Sequence, residues 1–507
     1  MSSLLKQGDF HVFSFDKKKY VFLSGSQQIL EISNPTTDAY FKRCAGRDDG
    51  NTLGDTTIDK VTETLKSLCT VPSACYEKQK QDMLTLNVTH GCNMSCKYCF
   101  ASTLQDKKSV MPLSVARNAI ANMLEGNPDS ERYTIYFFGG EPLLHKQFVR
   151  DVVEIAKEEI IFRRNKNVCF LLNTNGTLID DDMMNFFVQE KFTVTVSIDG
   201  PQKVNDANRV FLNGRGSFRR IAENIERLKK GGVDFNLRAT ISPKSTRLLE
   251  TFLFFESMEV PYSYAFTIDS DIKDRSTTHF DANGIKAIDK QLGEVMNFFT
   301  RKLMNKETIY CNDFHRNINR LRTKSVRYQG CAAGRSSLIV DEAGEYYPCQ
   351  NMLSHQDMSV GNVSEGIDNS RLQLFRSKEV SQLASCRQCW AKYLCGGSCE
   401  AERQLLGQES KDWKQKCKMI RLEWKHLIHS YIKLNDFINN MSNKHKIIDY
   451  ENLKELGLNP IDEKQAESIN GGYIGIPPMI IRPEDLVVCC HNIPPINMPG
   501  DIWSDLM

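Results

Sequence analysis

No apolar run in the 507 residues approaches the ~18 that a membrane span requires, so no transmembrane anchor is expected. Neither sign of charge prevails: 65 Lys+Arg stand against 63 Asp+Glu, a formal net charge of +2. That balance argues against a protein whose main work is gripping nucleic-acid phosphates or an anionic membrane, and neither partner is expected. The start, MSSLLKQGDF, lacks the apolar core of an export signal, and a cytoplasmic location is the expectation. Tandem repeats are absent too. With 41% apolar and 25% charged residues the chain reads as globular, and its length suggests roughly three domains.

Against these absences stands cysteine, at 17 residues an odd and unevenly placed set. Secretory disulfides would need an export signal. In a reducing compartment such a number points instead to metal ligation or catalysis.

Residues 1–80 read as a small α+β module. HVFSFDKKKYVFL (11–23) is a hairpin around a charged turn, QQILEIS a third strand, and TTDAYFKRC a helix capped by Thr or Asp. IDKVTETLKSL (58–68) is an amphipathic helix with Ile58, Val61, Leu65 and Leu68 on one face. From Met83 strands and helices alternate. MLTLNVT, YTIYFF, VCFLLN, FTVTVSI, FNLRATI and SYAFTI predict six strands, with helices between them. That order implies a parallel sheet with right-handed crossovers and sites at the C-terminal strand ends. A helix-rich stretch near 283–306 ends the alternation. A cysteine-dense segment (311–417), a long helix near 411–440 and a weakly patterned tail follow; the tail's PP at 477–478 and 494–495 and its GG at 471–472 predict an irregular or extended segment.

HGCNMSCKYCF directly follows the first strand of the alternation, placing Cys92, Cys96 and Cys99 at C-x3-C-x2-C. Two further cysteines at fixed offsets arise by chance roughly once per thousand cysteines. A structural zinc loop normally wants four ligands. Three thiolates fit a [4Fe–4S] cubane with one iron left open for a small molecule.

This spacing, followed by an aromatic, resembles the radical S-adenosylmethionine (SAM) superfamily. Phe138-Gly139-Gly140-Glu141-Pro142 resembles its GGEP motif, whose backbone and carboxylate groups hold the SAM amino group. Asn173-Thr174-Asn175-Gly176 resembles its TNG turn. Ser197, in Ser197-Ile198-Asp199-Gly200-Pro201, and Arg209 match the pair that contacts the SAM ribose and carboxylate in the peptide-modifying branch; Arg238 is a weaker match. The resemblance implies reductive cleavage of SAM to a 5′-deoxyadenosyl radical that abstracts a substrate hydrogen.

Cys331-x12-Gly344-x4-Cys349, then Cys386-x2-Cys389-x5-Cys395-x3-Cys399 and finally Cys417, resembles the seven-cysteine SPASM domain. The resemblance implies two auxiliary [4Fe–4S] clusters, hence three in all. Cys331, Cys349 and Cys399 would hold the first; Cys386, Cys389, Cys395 and Cys417 the second. Either Cys311 supplies the first cluster's fourth ligand, the preferred assignment, or that cluster keeps an open iron.

The implied fold class is α/β: a partial (β/α)6 TIM-like radical SAM barrel (81–308), an N-terminal winged-helix-like module (1–80), a C-terminal Fe–S SPASM domain (309–430), and the end of the C-terminal helix with an irregular tail (431–507). The N-terminal module resembles the recognition element of ribosomal-peptide maturases, which captures a leader peptide as an added strand. The expected function is therefore a peptide maturase acting on a precursor peptide with a leader. It would install a thioether first of all, or else a carbon–carbon or other crosslink, and draw electrons from a flavodoxin or ferredoxin. A sulfatase-maturase-like side-chain oxidase is the enzymatic alternative. It is disfavoured because Gln350 stands where those enzymes place an Asp base directly after the second SPASM cysteine. A zinc-bearing peptide-binding scaffold is the non-enzymatic one. Cys44, Cys69, Cys75 and Cys169 read as packing residues, and His90 as a hydrogen-bonded neighbour of the first cluster. Cys489-Cys490-His491 stands out in a sparse tail, as free thiols or as a substrate contact.

Overall fold

The computed structural model describes residues 4–47, 54–71, 81–101, 104, 109–243, 247–267, 275–376, 379–442 and 458–460. Cys75, Cys489, Cys490 and His491 lie outside them.

The N-terminal module starts with β1 (Phe10–Phe15), β2 (Lys18–Leu23) and β3 (Gln28–Ile32), all antiparallel. Only Asp16 and Lys17 connect β1 to β2, both at positive φ (47° and 65°), the two-residue turn whose twist suits a hairpin. Asn34, rather than a Thr or Asp, caps the following helix Pro35–Cys44: its side chain accepts from Thr36 N at 2.8 Å. Pro35 suits the first helical position because its missing N–H has no helical partner there. One sheet face (Val21, Leu23, Leu30) packs on Tyr40, Phe41, Val61 and Leu65. The other (Tyr20, Phe22, Ile29) joins the main core, so both faces are buried.

Six parallel strands form the barrel as the alternation predicts: β4 (Met83–Asn87), β5 (Arg132–Phe138), β6 (Asn167–Thr174), β7 (Thr193–Ser197), β8 (Asp234–Ile241) and β9 (Tyr262–Phe266). Two further strands join this sheet, β10 (Ser337–Val340) and β11 (Tyr346–Tyr347), giving the order β11-β10-β4-β5-β6-β7-β8-β9. β10 runs parallel to β4, with Ser337 opposite Met83, and β11 returns antiparallel. The cysteine-rich segment therefore grows out of the barrel sheet. A small hairpin, β12 (Gly361–Asn362) and β13 (Gly366–Ile367), follows.

The helix Ala282–Met304 packs on the long helix Lys411–Ser442, where Asp289 meets both Lys425 and His426 at 2.6 Å. Beyond it, β14 (Leu458–Pro460) adds to β3 as the fourth strand of the N-terminal sheet; the described part of the tail is thus extended. Among the described residues no helix is long and apolar enough to cross a membrane.

Trp390 seats the N-terminal module on the cysteine-rich segment. His11 stacks on its ring at 4.4 Å and 7°, Phe22 meets it edge-on at 5.8 Å, and Ser24 Oγ donates to its carbonyl at 2.8 Å. Asp9 pairs with the buried Lys392 at 3.1 Å, and Phe15 stacks on His429 at 4.2 Å. Burial, helped by nearby Arg421, lowers His11 to about 4, and burial lowers His429 to about 4, so both rings stay neutral, as a packed stack requires. Trp390→Ala should lower stability by about 1–3 kcal/mol. Amide exchange should quicken in β1 and β2, measurable by hydrogen–deuterium exchange; unchanged exchange would remove Trp390 as the anchor.

Candidate functional site

The loop carrying Cys92, Cys96 and Cys99 leaves the C-terminal end of β4 and is laced to the end of β5. Gly140 N donates to Thr89 O (2.7 Å) and Glu141 N to Gly91 O (2.9 Å). The approach is so close that only glycine fits. A Cβ on Gly140 would lie 2.2 Å from Gly91 O, and one on Gly139 2.5 Å from Thr89 O. Gly139 also sits at φ +146°. The GGEP motif is thus first a backbone clamp on the cysteine loop.

Glu141 is wholly buried. Its Oε1 accepts from Thr174 Oγ1 (2.8 Å) and Leu143 N (3.0 Å), its Oε2 from Asn175 N (2.7 Å). Burial raises its pKa, opposed by the N–H bonds from Asn175 and Leu143. The carboxylate is spent on the TNG turn, a role the resemblance did not imply. Pro142 opens the short helical turn Pro142–His145 that Glu141 caps. Asn175 reaches back to the cysteine loop, its Nδ2 donating to Asn93 Oδ1 (2.8 Å) and lying 3.8 Å from Cys92 Sγ. Gly176, at φ +76°, lets the turn close.

Tyr98, between Cys96 and Cys99, donates its hydroxyl to Asp199 at 2.7–2.9 Å and accepts from Arg209 Nη1 at 3.0 Å. Asp199 also accepts from Thr240 N at 3.1 Å. Burial raises the pKa of Tyr98 and of Asp199, opposed by Arg209. Arg209 stays charged despite its burial because Tyr98, Cys96 and Asp199 face it. Its Nε is buried without a partner. Ser197 lies opposite Arg238 in the β7–β8 register, and Ile198 N donates to Arg238 O at 3.0 Å. Ser197 and Arg238 thus face each other across β7 and β8, while Arg209 lies beside Tyr98 and Cys96. His90 Nε2 meets Glu342 at 3.0 Å, tying the cysteine loop to the β10–β11 turn.

This donor set fits SAM and a cluster. An orphaned, permanently charged guanidinium edge suits a carboxylate. The three thiols act on one another, and burial pushes Cys92 and Cys99 up to about 12. Cys92, Cys331 and Cys349 share a local device: each Sγ accepts the backbone N–H two residues on, at 3.4, 3.4 and 3.3 Å. Such N–H···S bonds favour thiolate.

Cys417, Cys389 and Cys386, the cysteines that the resemblance groups with Cys395, all raise its pKa beyond what burial does. Cys331 approaches the Cys399 segment because Gly330 and Gly396 are in backbone contact, where a Cβ on Gly330 would lie 2.8 Å from Gly396 O and Ser398 N. A pocket there is lined by Cys331, Arg335, Gly397, Ser398, Glu400 and Arg403. Pro348 O accepts from Gly334 N at 3.0 Å, drawing Cys349 towards Cys331.

Cys311 differs. It caps the helix Asn312–Thr323, is fully buried beside Tyr262, Phe314, Asp313 and Glu256, and bridges to the N-terminal end of β9. The structure gives Cys311 a buried place in the barrel wall. Cys44 and Cys69 pack on the N-terminal core, as expected.

Tyr98 and Asp199 are polar groups of the site that sequence reasoning did not single out, though both lie inside motifs it used. Glu423, half-buried on the long helix, accepts from Tyr264 Oη, and desolvation raises it to about 7.

The radical SAM superfamily model matches residues 86–250, and an iron–sulfur cluster-binding (SPASM) model matches 331–390. A cysteine-type anaerobic sulfatase-maturating enzyme of Clostridium novyi is 23% identical over 337 residues, 64% of this chain and 88% of the relative. The radical SAM cyclopropyl synthase TigE of Paramaledivibacter caminithermalis is 22% identical over 339 residues, 62% and 67% of the two chains. The solved structure of native anSMEcpe with bound AdoMet and Cp18Cys peptide superposes with a TM-score of 0.57 at 20% identity, covering 69% of this chain and 99% of that one. The chain is a radical SAM enzyme with a C-terminal SPASM domain, and SAM and iron–sulfur clusters are its cofactors. Within that class it is homologous to the anaerobic sulfatase-maturating enzymes.

Gly140→Ala should displace the cysteine loop and cost about four irons per chain, one cubane, in iron analysis; full iron content would show that the clamp is dispensable. Glu423 gives a pH signature. Its pKa is raised on folding from 4.5 to about 7, so its stabilising contribution is complete below pH 4.5 and lost as pH rises through 7. Glu423→Gln should remove a slope of up to about 3 kcal/mol across that window in denaturant titrations of the apo chain. An unaltered slope would place the titration elsewhere.

Proposed function

We propose that the chain is a maturase of ribosomally made peptides. Its N-terminal module would take a peptide strand, and its barrel would crosslink the residues that follow. The observation that carries this reading is the three-stranded sheet held by Trp390 directly beside the Cys386–Cys395 ligand loop, with the β3 edge engaged by an added strand. A peptide bound in the structurally similar anSMEcpe accords with a polypeptide substrate.

With three [4Fe–4S] clusters and SAM bound, the site would supply a hydrogen-abstracting 5′-deoxyadenosyl radical. Cys92, Cys96 and Cys99 would hold the SAM-binding cluster on a loop kept in place by Gly139, Gly140 and Glu141. Arg209 would take the SAM carboxylate through its free Nε edge, and Tyr98 and Asp199 would hold that guanidinium in position. Ser197 would face the ribose. Cys331, Cys349 and Cys399 would hold one auxiliary cluster, and Cys386, Cys389, Cys395 and Cys417 the other. A thioether is the favoured product, a carbon–carbon or other crosslink the next. A flavodoxin or ferredoxin in a reducing cytoplasm would supply the electrons.

Formylglycine formation on a sulfatase is the second reading, favoured by the similarity to the Clostridium enzymes. Gln350 speaks against it. It stands directly after Cys349, buried, its Nε2 without a partner, and an amide cannot accept a proton at neutral pH.

Anaerobically purified protein should hold about twelve irons and as many labile sulfides per chain; zinc in their place would overturn both readings. Replacing Cys92, Cys96 and Cys99 together with Ala should abolish 5′-deoxyadenosine formation from SAM and dithionite, measured by chromatography. Persistent formation would refute the assignment of the catalytic cluster.

A further inference from the structure

The cysteine loop turns one side to solvent. Ser95 and Lys97, the two neighbours of Cys96, are both exposed. A second segment lies along this side. Ser95 N donates to Val210 O (2.8 Å), Lys97 N to Asn208 O (3.0 Å) and Leu212 N to Asn93 O (3.4 Å), and Met94 is bridged to Phe211. Residues 207–216 therefore form an outer rim on the loop that carries Cys92, Cys96 and Cys99. Leu212 on this rim is 68% exposed, an apolar side chain held out into water beside the cysteines.

Exposed cations surround that leucine. Lys97 reaches Ala207 O with its Nζ (2.6 Å), and Lys203 lies one turn before Ala207 on the short helix Gln202–Asn208. Arg215 O accepts from Phe211 N (2.8 Å), and the next residue, Gly216, is pressed against Asp206 of the same short helix. Arg220 Nε donates to Thr177 O (3.2 Å), while Thr177 Oγ1 accepts from Asn93 Nδ2 (2.8 Å), which leads back to the cysteine loop. Among the described residues none of these four cations is paired with a carboxylate. The two nearby acids are engaged elsewhere: Asp206 accepts from Phe218 N (2.8 Å), and Glu223 pairs with Arg219 (3.0 Å). On a chain whose charges otherwise balance to +2, this is a local excess of one sign.

We propose that this rim is where the electron donor docks, and that the donor is an acidic one-electron carrier protein. The inference rests on the proposed assignment of Cys92, Cys96 and Cys99 to the SAM-binding cluster and adds where its electron enters. Reductive cleavage takes one electron per SAM, and that electron has to come from outside the chain. In the transfer the carrier's reduced group loses one electron and the oxidised cluster gains it; no bond is made or broken. Transfer is fastest where the ligands lie nearest the surface, and Cys96 stands between two exposed residues. Unpaired cations steer an anionic partner into one orientation and speed its encounter, without demanding a tight complex that would hinder turnover. An exposed leucine framed by charge has the apolar centre and polar rim of such an interface.

The test uses the full-length holoenzyme with SAM and compares two reductants by the 5′-deoxyadenosine formed. One is an acidic flavodoxin in its hydroquinone form, at limiting concentration. The other is dithionite, which is small and needs no docking surface. Lys203→Glu with Arg215→Glu should lower the flavodoxin-driven rate at least about tenfold, with iron content and the dithionite-driven rate unchanged. Lys203→Arg with Arg215→Lys keeps the charge and should keep the rate. In the wild type the flavodoxin-driven rate should fall as salt is raised to ~1 M, where charges are screened beyond ~3 Å. Equal flavodoxin-driven rates in the wild type and the charge-reversed variant would overturn the docking surface. So would a variant slowed equally with both reductants, or a wild-type enzyme that dithionite drives and flavodoxin does not. Absence of 5′-deoxyadenosine with dithionite in the wild type would instead refute the cluster assignment, and this inference with it.

Discussion

A single buried carboxylate holds the reaction centre together. Glu141 takes donors from the β6 end and from its own turn, while the two glycines before it press against the cysteine loop at distances no side chain could share. An uncompensated buried charge costs several kcal/mol, and three N–H and O–H donors offset it here. The result is a rigid three-way junction of the β4 loop, the β5 end and the β6 turn. The cysteines, Asn175 and the Tyr98–Asp199–Arg209 chain are all placed relative to it.

The second organising feature is continuity. The barrel sheet runs on into β10 and β11, and Glu342 at their turn reaches His90 beside the first cysteine loop. The cysteine-rich segment is therefore fixed to the SAM-facing end of the barrel by backbone pairing and not by a linker. On its other side Trp390, adjacent to Cys389, carries the N-terminal sheet. The N-terminal sheet, the Cys389 segment and the barrel mouth thus form one mechanical chain.

Much of this was legible in the sequence. Strong period-two and period-3.6 patterns gave the hairpin at 11–23, the six barrel strands and their helices, and the cysteine spacings marked both ligand sets. What escaped detection had a physical reason. β10 and β11 span only four and two residues inside a turn-rich stretch, and their pairing with β4 is a long-range contact that no local pattern encodes. β14 is three residues long and ends in proline. Tyr98 and Asp199 were hidden because their partners lie about a hundred residues apart in sequence. Cys311 is fully buried beside Tyr262 at the N-terminal end of β9, a place that its position ahead of the cysteine-rich segment did not reveal.

The central claim is that Cys92, Cys96 and Cys99, on the loop held by the Glu141 junction, would hold the cluster that meets SAM, with Arg209 taking the SAM carboxylate. Electron paramagnetic resonance of the dithionite-reduced full chain, recorded with and without SAM, tests it most directly. The account predicts that SAM changes the signal of one cluster and leaves the auxiliary signals as they were, and that Arg209→Met abolishes the change. A spectrum indifferent to SAM in the wild-type protein would contradict it.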